Sequence, residues 1–162
     1  MLKQMMKDER GLSLVELLAV VVIMAIIAGI GAVTITNVIQ NNKEDAGIAA
    51  VQSLMSAAVL YQTSNEGSDQ AIGVKNPAVT AADIKSAGFI SQLSSFDDSK
   101  IGNITFTLKN GAVAMTMPDG ALKKAGGKTS QGFSDYTEEN IAGLTRENTW
   151  VTPGGNNNNN DD

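Results

Sequence analysis

The chain has 162 residues, a formal net charge of -5, and neither cysteine nor histidine. These absences exclude a disulfide framework, thiol chemistry, zinc sites built on imidazole or thiolate, and Ser-His-Asp machinery. The acidic balance, with no run of Lys and Arg to neutralise phosphates, argues against a nucleic-acid surface. Aromatic content is 4%, with Trp150 the sole tryptophan, so any core outside a membrane is lean and built of Ala, Val, Ile, Leu and Met.

Residues 1–11 are short and polar, with Lys3, Lys7 and Arg10 set against Asp8 and Glu9. From Leu17 to Val33 no polar side chain occurs, and only Ser13 and Glu16 interrupt the stretch from Leu12 to Val33. At a rise of 1.5 Å per residue, about twenty helical residues cross the hydrocarbon of a bilayer. The stretch is longer than the apolar region of an ordinary secretory signal, and no small-x-small cleavage pattern follows it. Positive charge ahead of it keeps residues 1–10 cytoplasmic and sends the remainder outward. Glu16 is the anomaly: an ionisable group at mid-membrane costs roughly 2–3 kcal/mol, and less near an interface. Either it reaches back to the headgroups, or it answers a positive charge on another chain.

The fragment Arg10-Gly11-Leu12-Ser13-Leu14-Val15-Glu16, followed by the apolar run, resembles the N-terminus of the type IV pilin family. The resemblance implies a class III leader cut after Gly11 by a prepilin peptidase, N-methylation of the new N-terminal Leu12, and a subunit–subunit role for Glu16. Leu12 stands where phenylalanine is commonest in the family. The proline that kinks the helix in many pilins would fall at Val33, and none occurs here before Pro77. Gly29 and Gly31 are therefore the expected places for local melting, each glycine costing about 1 kcal/mol in a helix. A pair between Glu16 and the Leu12 amine of a neighbour would be steeply distance-dependent in an apolar medium, and so would set register as well as add energy.

Beyond the apolar run, Ile35, Val38 and Ile39 are followed by a polar patch, Gln40 to Asp45. The stripe then resumes at Ile48, Val51, Leu54, Met55, Ala58 and Tyr61. Spacings of three and four predict an amphipathic helix packed on a globular domain. A helix from Leu12 to Ser64 would be roughly 80 Å long, and Asn65-Glu66-Gly67-Ser68 supplies its stop.

Residues 65–100 read as a connection. Thr80 is a candidate N-cap with Asp83 three residues on, opening a short helix from Ala81 to Ala87 that Gly88 ends. Phe89, Ile90 and Leu93 are expected anchors, and Ser94 to Lys100 a polar loop. Residues 104–117 alternate about Asn110-Gly111, a type I′ turn signal. A two-residue turn pairs Leu108 with Val113, Phe106 with Met115 and Ile104 with Met117, all on one face, leaving Thr105, Thr107, Ala114 and Thr116 on the other. Pro118-Asp119-Gly120 is a further turn, and Gly126-Gly127 a loop. Tyr136 to Leu144 reads as a short helix or irregular segment. Thr149 to Thr152 reads as an edge or closing strand, with Trp150 in the core. The tail from 154 to 162 is low-complexity and expected to be disordered.

The expected fold is α+β: a long N-terminal helix, apolar then amphipathic, packed on a small antiparallel sheet, as in the type IV pilin fold. The expected divisions are a leader (1–11), a membrane or filament-core helix (12–33), its amphipathic continuation (34–64), an αβ-loop (65–100), a β head (101–153) and the tail. Pilin heads are often closed by a disulfide, which this chain cannot form. Packing, or a metal held by Asp119, Asp135, Glu138 or Glu139, would take its place. Cysteine-free heads among relatives hint at a Gram-positive source. The Asn103-Ile104-Thr105 sequon is read as chance. No nucleophile–base arrangement or cofactor loop occurs, so an enzyme is not expected and no cofactor is assigned. The resemblance implies the major subunit of a type IV pilus serving adhesion, motility or DNA uptake; the alternative is a pseudopilin of a type II secretion or competence system. Implied partners are further copies of the chain, the prepilin peptidase/N-methyltransferase, an inner-membrane assembly platform, minor pilins, and DNA or cell surfaces touched by the filament. The implied location is the cytoplasmic membrane first and the cell surface after assembly.

Overall fold

The computed structural model of the chain describes residues 14–74 and 78–153, the side chains of 32–34 excepted. The leader, Gly11, Leu12 and the expected tail lie outside the described residues. The chain divides into two compact units at the boundary between Ile39 and Gln40.

Helix α1, Leu14–Ser64, begins in the first unit. Its Leu14–Ile39 portion is helical at every residue. The melting expected at Gly29 and Gly31 does not occur. Two separated glycines weaken a helix by about 2 kcal/mol together, and without a proline no intrahelical hydrogen bond is removed outright. The large apolar side chains of this portion are exposed along its length, from Leu14 at 84% to Ile30 at 66% and Ile39 at 49%. Ile35, Val38 and Ile39, read as the start of the packed stripe, are among them. The packed stripe begins only in the second unit.

In the second unit, or head, Val51, Leu54, Met55, Ala58 and Tyr61 of α1 are buried in the core as their spacing predicts. Gly67, at φ +80°, follows the end of the helix. The connection then contributes a strand of its own, β1 at Val79–Thr80, which pairs antiparallel with β2, Thr105–Lys109. Helix α2, Ala81–Ser86, starts at the expected capping box: the Thr80 hydroxyl accepts from Asp83 N, and the Asp83 carboxylate accepts from Thr80 N at 2.9 Å. Leu93 is buried, and Phe89 meets Tyr61 edge-on with ring centroids 5.3 Å apart. The stretch from Ser94 to Lys100 is not simply polar, because Phe96 is fully buried and bridges to Leu122.

Strand β3, Ala112–Met117, pairs with β2 in the expected register, Leu108 opposite Val113 and Phe106 opposite Met115. Asn110 and Gly111 both have positive φ, 53° and 84°, as a type I′ turn requires. The ladder ends at Thr105 opposite Thr116, with Ile104 buried just beyond a 3-10 turn at Ile101–Asn103. Two residues depart from the expected faces. Leu108, near the turn, is 39% exposed, and Ala114 is buried. Ala114 lies on a central strand, between Thr107 of β2 and Thr137 of β5, so neighbours cover it on both sides.

Strand β4 is Thr129–Ser130 and β5 is Phe133–Thr137; α3, Glu138–Ala142, α4, Arg146–Thr149, and β6, Trp150–Val151, complete the head. The main sheet has the order β1-β2-β3-β5, and β4 pairs with β6 in a second, two-stranded sheet. The segment from Tyr136 to Leu144 thus joins the end of a strand to a helix. The expected closing strand is β6, with Trp150 in the core. Long helix, small antiparallel sheet and short helices make the α+β architecture that the resemblance implied.

Candidate functional site

Glu16 lies in the first turn of α1 and is exposed, where the positive end of the helix dipole favours a carboxylate. Leu14, Val15, Leu17 and Leu18 surround it in sequence, each more than half exposed. An α-helix that presents apolar side chains all round is stable only in lipid or between other helices. The portion is long and apolar enough to cross a membrane, and it fits membrane anchoring. Gly29 and Gly31 have no heavy atom within 4 Å of an added Cβ. They leave shallow places on the surface where another helix could approach closely.

In the head, the polar patch at Gln40–Asp45 holds the C-terminal segments. Glu44 is 1% exposed. Its carboxylate accepts from Lys128 Nζ, 3.0 Å from Oε1, and from Gln40 Nε2 at 2.9 Å. The main-chain oxygen of Glu44 accepts from Trp150 Nε1 at 3.1 Å. Asp45 takes both arms of the Arg146 guanidinium. That contact holds the Asp45 carboxyl below its ordinary range and raises Arg146. Gly47 gives the indole room: a Cβ there would lie 2.6 Å from Trp150 Cζ2. Two ion pairs, one indole hydrogen bond and the β4–β6 ladder thus tie the C-terminal segments to α1.

The sequence contained a signal for Glu44. It stands four residues before Ile48 and seven before Val51, in phase with the apolar stripe, and a charge in phase with a buried stripe needs a partner. Nothing local marks Lys128 or Arg146 as that partner, 84 and 101 residues away from the acids they meet.

The carboxylates considered for a metal are not gathered. Asp119 Oδ1 accepts from Gly132 N at 2.6 Å, Asp135 pairs with Lys109 at 3.6 Å, and Glu138 and Glu139 stand in the first turn of α3. Among the described residues no cluster of three metal-binding side chains occurs.

Residues 6–32 match the family described as the prokaryotic N-terminal methylation motif. The chain carries that methylation motif. The matched span contains Gly11, Leu12, Glu16 and most of the apolar run. It supports a place in the type IV pilin or prepilin-like family and indicates a protein of pilin or pseudopilin type. The motif belongs to structural proteins rather than to an enzyme family, and a class III leader implies processing by a prepilin peptidase and assembly into pilus-like polymers. No curated protein and no solved structure matches the chain.

Proposed function

We propose that this chain is the major subunit of a type IV pilus. In this reading the bond after Gly11 is cut, Leu12 becomes a methylated N-terminal amine, and Glu16 of one copy faces that amine on a neighbour. Removal of residues 1–11 takes away charged side chains that would otherwise keep the apolar helices apart. The observation that carries the reading is an unbroken helix over Leu14–Ile39 whose large apolar side chains, those of 32–34 aside, are exposed, with a carboxylate in its first turn inside a methylation motif. Burial of such a surface against other copies is strongly favourable at roughly 25 cal/mol per Å² when water is the alternative. Against lipid, packing and the charge pair set the preference. The head stays outside the membrane and then on the filament surface, where it meets cell surfaces or DNA. The assembly platform, the methylating peptidase and minor pilins are the partners that this life history needs.

Intact-mass measurement of surface-sheared protein tests the reading. A mature chain starting at methylated Leu12 is expected, whereas assembled filaments that retain Met1 would sink it. Electron microscopy of the same fraction should show long surface fibres; short filaments confined to the envelope would assign the chain to a secretion or competence pseudopilus. Glu16→Ala is expected to insert in the membrane normally and to assemble poorly.

A further inference from the structure

Although the chain is acidic overall, its head has a basic cleft. Lys43, Lys123 and Lys124 line an opening of about 380 Å³ with Gly47, Ser94 and Ser95. All three lysines are exposed, and among the described residues none is within ion-pair distance of a carboxylate. Asp97 is close enough to feel the charge of Lys123, and its own carboxylate is engaged by Ser99. A second cleft, of about 570 Å³, is lined by Glu66, Glu138 and Glu139 beside Val59, Val113 and the Gly111 turn. These three glutamates are also exposed and outside any ion pair.

The lysine cleft lies at the Gln40 end of the head portion of α1, touching residues 43–47. The glutamate cleft lies at the Ser64 end, touching residues 59–66. Their centres are about 25 Å apart along the helix axis at 1.5 Å per residue. At 3.6 residues per turn, they face directions roughly 150° apart around the helix. One chain therefore presents opposite charge at opposite ends and on opposite flanks of the same spine.

We infer that the two clefts are the two halves of one contact between successive copies of this chain, the lysine cleft of one copy receiving the glutamate edge of the next. The inference rests on the filament reading above and names the head-to-head part of it. Two different patches that complement each other make a heterologous contact, and a heterologous contact that does not close into a ring propagates as a helical filament. A self-matched patch would stop at a dimer. Copies of so acidic a chain repel one another, and each such contact sets three positive charges against three negative ones. Being exposed, it sets direction and spacing more than strength.

Reversal of charge on the full chain tests this by electron microscopy of sheared filaments, with intact mass checking maturation. Lys43→Glu/Lys123→Glu/Lys124→Glu makes both clefts acidic, and Glu66→Lys/Glu138→Lys/Glu139→Lys makes both basic. Each is expected to mature normally and to assemble roughly tenfold less, because like charges then meet. Co-expression of the two should restore filaments to within about twofold, since alternating copies again place opposite charges in contact. Wild-type yield from either triple variant alone, or no rescue on mixing, overturns the contact while leaving the pilus reading intact. If a triple variant fails to mature, the single reversals Lys124→Glu and Glu139→Lys are scored for the same mutual rescue. A lysine variant that assembles normally but loses binding to polyphosphate would give the cleft to a polyanion and also overturn the proposal. Failure of the wild-type chain to form filaments would overturn both readings.

Discussion

The indole Nε1 of Trp150 donates to the main-chain oxygen of Glu44 at 3.1 Å, joining positions 106 residues apart. The same glutamate takes Lys128 on its side chain. One residue of α1 thus fixes both the β4 and β6 ends of the small second sheet. Lys128 is about one-third exposed, whereas Glu44 is almost fully enclosed. Replacement of Lys128 by Met leaves a buried carboxylate with only Gln40 as a side-chain partner. Loss of one partner of a fully buried pair costs about 3–5 kcal/mol, and the exposed lysine puts this case near or below the lower end. The double variant Glu44→Met/Lys128→Met should recover most of the loss. Denaturant unfolding of the full chain in detergent, followed by Trp150 fluorescence, measures both; a Lys128→Met chain as stable as wild type would show the pair to be dispensable.

Gly47→Ala brings two effects into opposition. Alanine favours the helix by about 1 kcal/mol, while its methyl would lie 2.6 Å from the Trp150 ring. Overpacking in a filled core costs about 1–3 kcal/mol. Net destabilisation with a shifted Trp150 emission is expected, and Trp150→Phe in the same chain should relieve part of it. A more stable Gly47→Ala chain would mean that the ring moves at little cost.

The Asp45–Arg146 contact makes part of the head's stability acid-sensitive. The guanidinium holds the Asp45 carboxyl below its ordinary value of 3.8, chiefly through the side-chain hydrogen bond. A depressed carboxyl contributes stability that is fully present above the unfolded value and is lost as pH falls through the lower folded value. Arg146 is raised and stays charged throughout the accessible range. The stability difference between wild type and Arg146→Gln should therefore be flat from neutral pH to about pH 5 and vanish only below 3.8. Both groups are exposed, so the difference is small and falls with added salt.

Gly111→Ala tests the hairpin. Gly111 sits at φ +84° with open space where a Cβ would stand, so the penalty is conformational and amounts to about 1 kcal/mol. Loss of much more would indicate that the turn also sets the register of β3 with β5. No loss would indicate a turn that rearranges freely.

Much of this head was legible because its cues are local. Thr80 and Asp83 are three residues apart and cap each other, Asn110-Gly111 carries its turn in its own backbone preference, and the α1 stripe is a periodicity. What escaped depends on distant partners. Phe96 lies in a polar stretch and is buried only because Leu122 arrives beside it. Lys43 joins Lys123 and Lys124 only after the chain has folded back. Gly132 has no local signal around it, yet a Cβ there would lie 2.6 Å from the Met117 carbonyl oxygen. In the apolar segment, Glu16 stands out in sequence because an isolated charge breaks the run, a contrast that needs no knowledge of the fold.

The clasp formed by Glu44, Asp45, Lys128, Arg146 and Trp150 has a consequence for how the head comes to be made and unmade. A disulfide needs an oxidant to form and a reductant to open. This closure needs neither, so the head can reach its final form whatever the redox state around it. Thiol reagents leave it untouched. Acid and high ionic strength loosen its exposed Asp45–Arg146 contact, and no covalent bond has to be remade when they are withdrawn.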